Sequence, residues 1–406
     1  MQMNFNMFLP GLEDVLVTKM EKIEDRIAFH VEMKLTPHSC PSCLTITNKV
    51  HDYRIQKIKH LKIFERLSVI FYRKRRYVCS CGKKFFEKNS FIQRYQRFSS
   101  EWNRAVKIRS IKGKTFKETA DIYGTSSSTI VRRFDELAES EITEVRELPK
   151  VIAIDEYKGD TREGKYQLII ADGVTKEPID ILPNRYKKTI KHYLQKYGAK
   201  VEVVIMDMSP AFKAAVIAAL GKPVIVADRF HFVRYIYWAL DGVRRRIQAT
   251  WNDYDRKKCK KMRYVFHRNS QKLTDEDRWY LNRYLSMSAE LKQAYELKEK
   301  FNEWFVQAKD NGPEKILQTK ELLQSFYQLV TQINIPEFNR VIKTLQNWQI
   351  EILNSFAYNL SNGFLEGINN LTKVMKRNAF GFRSFIRFRA KILLTHKYKK
   401  IGYHVG

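Results

Sequence analysis

The spacing of apolar residues changes several times along this chain of 406 residues. Near the start, apolar and polar positions alternate in short stretches such as "RLSVIFYRKRRYVC", which is typical of half-buried β-strands. Two cysteine-bearing turns, "HSCPSC" and "CSCG", interrupt these stretches. We therefore predict a small β-rich module over residues 1–92.

Helical spacing with one tight turn follows, from Lys114 to Ser140. Gly124 lies between the two helical stretches and can adopt the left-handed backbone that such a turn needs. The spacing predicts a helix-turn-helix in a DNA-binding domain over residues 93–145; a plain helical hairpin with a solvated face is the alternative. On the second helix, the side chains that suit bases and phosphates are Ser127, Ser128, Thr129, Arg132 and Arg133.

Short apolar strands alternating with helices begin after the acidic segment that ends at Pro149. "VIAIDEY", "KYQLIIADG" and "EPIDILP" predict three consecutive strands, and "VEVVIMDMS" and "KPVIVADRFH" predict two more, each preceded by a helix. This is the element order of a ribonuclease-H-like core. A long, charged helical stretch then follows, before "SNGFLEGINN" opens a last helix and a basic tail.

The composition indicates what the chain binds. Lysines and arginines number 74 against 44 acidic residues, which gives a formal net charge of +30. Such an excess attracts polyanions and releases their counterions on binding, so we expect a nucleic-acid partner. An anionic membrane surface fits less well, because the charge is spread over the whole chain. With no long apolar run and no signal-peptide layout, the sequence predicts a soluble, intracellular protein.

Two segments concentrate the positive charge. Arg54–Arg76 holds nine basic residues and one acid, and Leu371–Lys400 holds ten basic residues and no acid. Because such side chains fix a protein on the DNA backbone, we expect both segments to contact phosphates. The residues selected are Arg73, Arg75 and Arg76 in the first segment, and Lys373, Lys376, Arg377, Arg383 and Arg387 in the second.

Four of the five cysteines form two close pairs, which in an intracellular protein favour a metal over disulfides. The pairs are Cys40 with Cys43 and Cys79 with Cys81. Together they supply four thiolates for one structural zinc ion. The second pair is one residue shorter than the usual knuckle, so a histidine could replace one cysteine, and four free buried thiols are a further alternative. The candidate histidines are His38, His51 and His60.

The predicted fold class is therefore multidomain α+β. It combines a zinc-ribbon-like N-terminal module, a helix-turn-helix, and a ribonuclease-H-like α/β core that carries a large all-helical insertion. The predicted bounds are 146–232 for the first part of the core, 233–350 for the insertion, and 351–406 for the last helix and the basic tail that complete the core.

Three acids stand where such a core could hold metal ions. Asp155 ends the first predicted strand and Asp207 ends the fourth, and these strands are neighbours in this fold, so both carboxylates should emerge at one sheet edge. Two adjacent carboxylates repel each other unless a divalent cation lies between them. Glu366, alone ahead of the basic tail, would supply the third carboxylate. Two Mg²⁺ or Mn²⁺ ions held this way would activate the attacking oxygen and stabilise the leaving oxygen of a phosphodiester.

Other polar residues near these acids allow competing assignments. A single aspartate at a strand end is more often a cap or turn residue than a catalytic one. Asp228 also ends a strand and is the main rival to Asp207. Asn362 and Asn370 flank Glu366 at four-residue spacing, so they should share its helix face and hydrogen-bond the carboxylate or touch DNA.

Taken together, these motifs resemble those of a DDE-class bacterial insertion-sequence transposase of the ISL3 family. The resemblance rests on "CPSC", "RRYVCSCG", the helix-turn-helix, "IAIDEY", "VIMDMS", "VADRFHFVR" and "SNGFLEGINNLTKVMKRNAFGFRSFIRFR". It implies a catalytic triad of Asp155, Asp207 and Glu366. It also implies that Asp228 and His231 form an Asp-x-x-His motif that supports the core or the DNA without being a primary metal ligand.

The resemblance also implies an activity. Metal-activated water would nick the element end, and the freed 3′-hydroxyl would attack target DNA, so the partners are terminal inverted repeats and target DNA. Joining two ends implies a homodimer or larger assembly, at work on the nucleoid in a bacterial cytoplasm. A metal-dependent nuclease without strand transfer and a DNA-binding regulator with an inactive core remain the alternatives.

Overall fold

A computed structural model of the chain describes residues 11–400. The first ten residues of the predicted N-terminal module and the last six of the predicted tail lie outside the described residues. The described chain forms two units: residues up to Thr143 together with those from Ala390 onward, and Glu144–Arg389. This division differs from the predicted domains, because part of the predicted tail belongs to the first unit.

The first unit begins with an antiparallel and parallel sheet that runs in the order β1-β2-β6-β5, with β7 paired to β6. Its strands are β1 (Val15–Ile23), β2 (Arg26–Met33), β5 (Val50–Ile63), β6 (Arg66–Val78) and β7 (Lys84–Phe86), and a separate hairpin joins β3 (His38–Ser39) to β4 (Ile46–Thr47). The alternation seen in the sequence places Phe29, Ile58 and Ile70 in one buried cluster. The predicted β-rich module is thus present in the described residues.

Three helices follow in the first unit: α1 (Ser100–Lys112), α2 (Phe116–Ile122) and α3 (Ser127–Glu141). A capping box between Thr115 and Glu118 begins α2, because each residue satisfies a backbone N–H of the other. Gly124 makes the turn with φ of +59°, and a Cβ there would lie 2.5 Å from Leu67 Cδ1. The Ser126 side chain then accepts from Thr129 N and begins α3. This is the predicted helix–turn–helix arrangement.

The end of the chain completes this helical cluster. The last helix is α15 (Phe385–Lys400), and its residues Ala390 and Leu394 are buried with Phe134 and Leu137 of α3. Lys391 is also buried and donates from Nζ to the Gly113 carbonyl, and burial lowers the pKa of this lysine to about 8. Residues 390–400 therefore pack on the helix-turn-helix, in the place of the core contact that the sequence suggested.

The second unit is built on a sheet in the order β10-β9-β8-β11-β12. Its strands are β8 (Val151–Thr161), β9 (Gly164–Asp172), β10 (Pro178–Leu182), β11 (Val203–Met206) and β12 (Val224–Ala227). The first three are antiparallel neighbours, whereas β8, β11 and β12 run parallel. The helices α4 (Lys187–Tyr197) and α5 (Pro210–Leu220) precede β11 and β12, as the sequence predicted.

A helical region fills the chain between this sheet and the last predicted helix. Its members are α6 (Arg229–Gln248), α7 (Asp253–Lys261), α8 (Arg263–His267), α9 (Asp275–Ser286), α10 (Ala289–Asn311), α11 (Ile316–Ile333), α12 (Pro336–Asn347) and α13 (Gln349–Ala357). Apolar residues of these helices and of the sheet share one buried cluster. The helix α14 (Gly363–Asn378) then begins within "SNGFLEGINN", as the sequence predicted.

Candidate functional site

The four paired cysteines come together on the β3–β4 hairpin and at the end of β6. Their sulfurs lie within 4.8 Å of one another, with 3.7 Å between Cys40 Sγ and Cys81 Sγ and 3.4 Å between Cys43 Sγ and Cys79 Sγ. Thiolates around one tetrahedral zinc ion are separated by about 3.8 Å, so the cluster fits that ion. Contacts with the side chain and backbone of Thr45 lower the pKa of Cys43 to about 6, which favours the thiolate form.

The histidines considered as substitutes have other partners. His60 is buried and hydrogen-bonds Ser99 Oγ, His51 lies against Asp52, and His38 contacts the Thr36 carbonyl. Burial lowers the pKa of His60 to about 4, so it stays neutral in the core. Among the described residues, the metal-ligand cluster of this module consists of cysteines alone.

At the carboxyl end of the second unit's sheet, Asp155 and Asp207 face each other. Ala153 of β8 pairs with Ile205 of β11, and each aspartate lies two residues further along the chain, Asp155 within β8 and Asp207 just after β11. Side chains two residues apart point to the same face of a strand, so both carboxylates emerge together. Glu156 points the opposite way and pairs with Arg185. The sequence prediction that these two strands are neighbours is correct.

The two aspartates experience different surroundings. Asp155 accepts from its neighbour's backbone N–H at Glu156 and from Asn369 Nδ2 at 2.6 Å. Burial, together with the charge of Asp207, nevertheless raises the pKa of Asp155 to about 7. In the absence of a cation, a substantial fraction of Asp155 is therefore protonated near neutral pH.

His231 lies between two carboxylates. Its Nδ1 is 2.8 Å from Asp228 Oδ2 and 2.9 Å from Asp207 Oδ1, and only the first contact has hydrogen-bond geometry. Burial alone would lower the pKa of His231, but the two acids outweigh it and raise the value to about 9. Asp207 Oδ1 consequently remains buried without a well-aligned donor among the described residues. An acceptor left in this state fits a metal ligand.

The helix α14 lies against β8 through asparagines. Asn362 donates from Nδ2 to the Ile154 carbonyl, and its backbone N–H points at Asp228 Oδ1. Asn369, seven residues later on the same buried face, is the residue that contacts Asp155. The sequence instead predicted a role for Asn370 beside Glu366, and Asn370 is exposed. A seven-residue step returns to the same side of a helix and an eight-residue step does not, so the period of 3.6 residues could have identified Asn369.

Glu366 is exposed on the same helix, one turn before Asn369. In the described residues, the only cluster of three ligand groups at this sheet edge is Asp207, Asp228 and His231. Glu366 thus lies on α14, the helix whose Asn369 contacts Asp155, but it is not a member of this cluster. The acids Asp155 and Asp207 fit a divalent cation, since burial and the charge of Asp207 raise the pKa of Asp155, and Asp207 Oδ1 has no well-aligned hydrogen-bond donor.

The exposed surface of α3 carries most of the predicted base-reading side chains. Ser127, Ser128 and Arg132 are exposed and Thr129 is half-buried. Arg133 is different: it is buried, donating to Glu136 Oε1 at 2.6 Å and to Gln96 Oε1 at 2.8 Å. Arg133, which the sequence predicted to contact DNA, is therefore held by internal partners and lies outside the exposed surface of α3.

Replacing Arg132 and Arg133 one at a time should separate a role in DNA binding from a role in stability. Arg132→Ala should weaken DNA binding without changing the free energy of unfolding, because the side chain is exposed. Arg133→Ala should lower the free energy of unfolding by about 1.5–3 kcal/mol, since it removes hydrogen bonds from a buried charged group. Urea unfolding and fluorescence anisotropy on both variants check this. Equal stability of the two variants would contradict it.

The basic strand segment is also partly committed. Arg75, which the sequence predicted to contact DNA, is instead buried against Glu32, Glu87 and the Met33 carbonyl. Arg76 pairs with Asp52. Arg73 is exposed and pairs with Glu32, and its guanidinium lies 3.8 Å from the ring centre of Tyr53. Ion pairs with residues distant in the sequence cannot be predicted from a basic segment alone.

The basic residues after Glu366 are more available. Lys373, Arg377 and Arg383 are exposed and Arg387 is half-buried. Lys376 instead pairs with Asp160 at 2.6 Å. Most of the predicted basic surface of this segment is therefore solvent-accessible.

The chain matches three family models that together cover most of its length. A transposase model of the ISL3 family matches residues 152–392, which is more than half of the chain. A zinc-finger model of transposases related to IS204, IS1001, IS1096 and IS1165 matches residues 36–81, and a model for the helix-turn-helix domain of transposase family ISL3 matches residues 87–138. These matches confirm the predicted zinc-binding module and helix-turn-helix.

Two of the similar whole proteins are transposases of insertion sequences. The chain is 25% identical to the transposase for insertion sequence element IS1001 of Bordetella parapertussis over 86% of this chain and 88% of that protein. It is 24% identical to the transposase for IS1557 of Mycobacterium tuberculosis over 60% of this chain and 59% of that protein. A Lactococcus lactis protein named ATP-dependent protease is 35% identical over only 32% of this chain and 38% of its own length. Within the described residues, no helix has the length and apolarity needed to cross a membrane.

Proposed function

The chain belongs to the ISL3 family of transposases, and we propose that it cuts DNA at the ends of its own insertion sequence and joins the freed strands to target DNA. One observation carries this proposal. Asp155 and Asp207 occupy equivalent positions on two neighbouring parallel strands, and a helix bearing Glu366 is hydrogen-bonded to Asp155. Two adjacent carboxylates, with a third acid on the helix that contacts one of them, suit the transfer of a phosphodiester.

We infer that the second unit is a ribonuclease-H-like core interrupted by the helices from α6 to α13. The support is the strand order, in which three antiparallel strands meet two parallel ones at β8. Ligands of open α/β sheets bind at the carboxyl ends of the parallel strands. Asp207 follows the end of β11, and Asp155 lies beside it, just past the last residue of β8 that pairs with β11. The proposed domains are therefore a zinc module, a helix-turn-helix and this interrupted core.

In this proposal, Asp155, Asp207 and Glu366 hold two Mg²⁺ or Mn²⁺ ions. When bound, such ions activate the attacking oxygen and stabilise the leaving oxygen of the phosphodiester. The chain's own residues prepare the site. Asp228 orients His231 beside the Asp207 carboxylate, and Asn369 fixes the carboxylate of Asp155.

Asp228 and His231 act as positioning residues in this scheme. Asp228 receives the Asn362 backbone N–H and the His231 imidazole, so it links the start of α6 to the start of α14. A group that already satisfies two protein donors is less free to ligate a cation than Asp207, whose Oδ1 lacks an aligned donor. This difference favours Asp207 over Asp228 as the metal ligand.

DNA would be held by the exposed surface of α3 and by the basic residues after Glu366. The zinc module would add phosphate contacts through residues such as Arg73. Because two element ends must be joined, we propose a homodimer or larger assembly on double-stranded DNA. We place this work on the chromosome in the bacterial cytoplasm.

The test is a cleavage assay on DNA from both flanks of the gene, with Mg²⁺ or EDTA. We expect end-specific nicks that expose a 3′-hydroxyl, and joined products when target DNA is added. Glu366→Gln should abolish both, and Glu314→Gln, an exposed residue remote in sequence, should change neither. Nicks without joined products would indicate a nuclease. Tight binding without cleavage by the wild type, with Mg²⁺ and with Mn²⁺, would indicate a regulator.

A further inference from the structure

An aromatic and cationic face begins at the candidate active site and runs along α6. Phe230 and Trp238 have exposed fractions of 55% and 50%, although both rings are large and apolar. The Arg234 guanidinium carbon lies between them, 5.5 Å from the ring centre of Phe230 and 4.5 Å from that of Trp238. We call these three residues the α6 ladder. Exposed aromatic rings in a row require an explanation, because burial would stabilise them.

The spacing of the ladder makes one continuous surface. Its members are four residues apart, so they lie on one side of the helix. Eight residues of helix cover about 12 Å, which matches three or four bases stacked at about 3.4 Å. Trp238 is braced by an edge contact with Tyr235, with 5.4 Å between ring centres. The far ring is therefore held in place on its helix.

The ladder starts directly beside the acids. Phe230 contacts the ring of His231 edge-on, with 5.8 Å between ring centres, and His231 Nδ1 lies 2.9 Å from Asp207 Oδ1. A nucleotide adjoining a phosphate at Asp207 would reach Phe230 first. The ladder would then guide the strand away from the site of cutting.

Arg234 has no carboxylate partner among the described residues. Its Nε is buried without a hydrogen-bond acceptor, and its neighbours are the two rings. Arg244 and Arg245, further along the same helix, both pair with Asp241. An unpaired guanidinium between exposed aromatic rings suits a ligand that is both planar and anionic.

We propose that the α6 ladder stacks unpaired bases of the DNA strand at the cleavage point, with Arg234 adding charge for the neighbouring phosphate. This inference rests on the proposed function. It adds that base pairs at the DNA end are opened and that their bases are held on the ladder. Base stacking on aromatic side chains tolerates any sequence, as it must at a flank that changes with each insertion. The unpaired charge of Arg234 between two exposed rings favours DNA over an apolar protein partner.

Binding in EDTA tests the ladder apart from catalysis. The probes are an element-end duplex and the same duplex with two adjacent mismatches moved stepwise across the element boundary, read by fluorescence anisotropy with full-length protein. Wild type should bind one or two mismatch positions about 5- to 100-fold more tightly than the paired duplex, since unstacking is then already complete. Phe230→Ala and Trp238→Ala should each lose most of this preference, and Trp238→Phe should retain it.

Trp279→Ala is the matched control, because Trp279 is 59% exposed on α9 and outside the ladder. With Mg²⁺, the favoured mismatches should also restore cleavage to Trp238→Ala. The inference is overturned if wild type does not prefer the mismatched duplexes, or if Trp238→Ala keeps that preference. It is also overturned if Trp238→Ala changes only the oligomeric state, because the α6 ladder would then be a protein interface. A mismatch preference in EDTA without any Mg²⁺-dependent cleavage would support the ladder and reject the proposed function.

Discussion

Replacing Asp155 by asparagine should reduce DNA cleavage by at least about a thousandfold while leaving binding of element ends unchanged. Metal ions in such a site supply several kcal/mol of transition-state stabilisation, and an amide is a poor substitute for a carboxylate ligand. The amide oxygen introduced by Asp155→Asn can still accept from the Glu156 backbone and face Asn369, so the local fold should persist. Nicking assays and anisotropy on the same preparation measure the two quantities.

The matched control is Glu156→Gln, one residue along the same strand. Glu156 points to the opposite face and pairs with Arg185, so its charge is not part of the metal site. Cleavage by this variant should stay within about threefold of wild type, since surface ion pairs contribute little. Equal loss in both variants would show that the strand has been disturbed, and wild-type cleavage by Asp155→Asn would reject the acid as a ligand.

The Asp155→Asn variant should be more stable than wild type when metal is removed. Burial and Asp207 raise the pKa of Asp155 from 3.8 to about 7, so its contribution to stability is fully present below about pH 4 and is lost as the pH rises through about 7. The gap in melting temperature between Asp155→Asn and wild type in EDTA should therefore widen from pH 4 to pH 8. Mg²⁺ should close the gap by stabilising wild type alone.

The sequence predicted the sheet edge well for a physical reason. Strands buried on both faces appear as uninterrupted apolar runs, and the residue that ends each run marks the edge of the sheet. The ends of these runs located Asp155 and Asp207, and the predicted fold made their strands neighbours. Asp155 ends its apolar run but not its strand, because β8 continues to Thr161. The helix with Glu366 was found in the same way, from the periodic run that follows Ser361.

What the sequence could not supply is the partner of each polar side chain. Arg75 and Arg133 look like their basic neighbours in the sequence, yet both are buried against acids or amides contributed by distant residues. The packing of Ala390 and Leu394 on α3 likewise depends on a contact across more than two hundred residues. Such pairings are set by tertiary structure and leave no periodic signal.

Loss of zinc should have the other large effect, and it should be local. The cysteine-bearing loop of residues 36–49 contains only the two-residue strands β3 and β4, whereas β5 and β6 share a buried cluster that includes none of the cysteines. Because binding of a structural zinc ion contributes on the order of 10–16 kcal/mol, this loop depends on the ion and the neighbouring sheet does not.

Cys43→Ser should therefore reduce bound zinc from one ion per chain to near zero and open the loop to proteases within residues 36–49. Elemental analysis and mass spectrometry of limited digests measure both. Cys259→Ser is the control, because Cys259 is buried on α7 and lies outside the cysteine cluster, so its zinc content should stay at one. Undiminished zinc in Cys43→Ser would reject the four-thiolate site. Cleavage within β5 and β6 as well would instead show that the sheet does not stay folded without the zinc ion, although it has a buried cluster of its own.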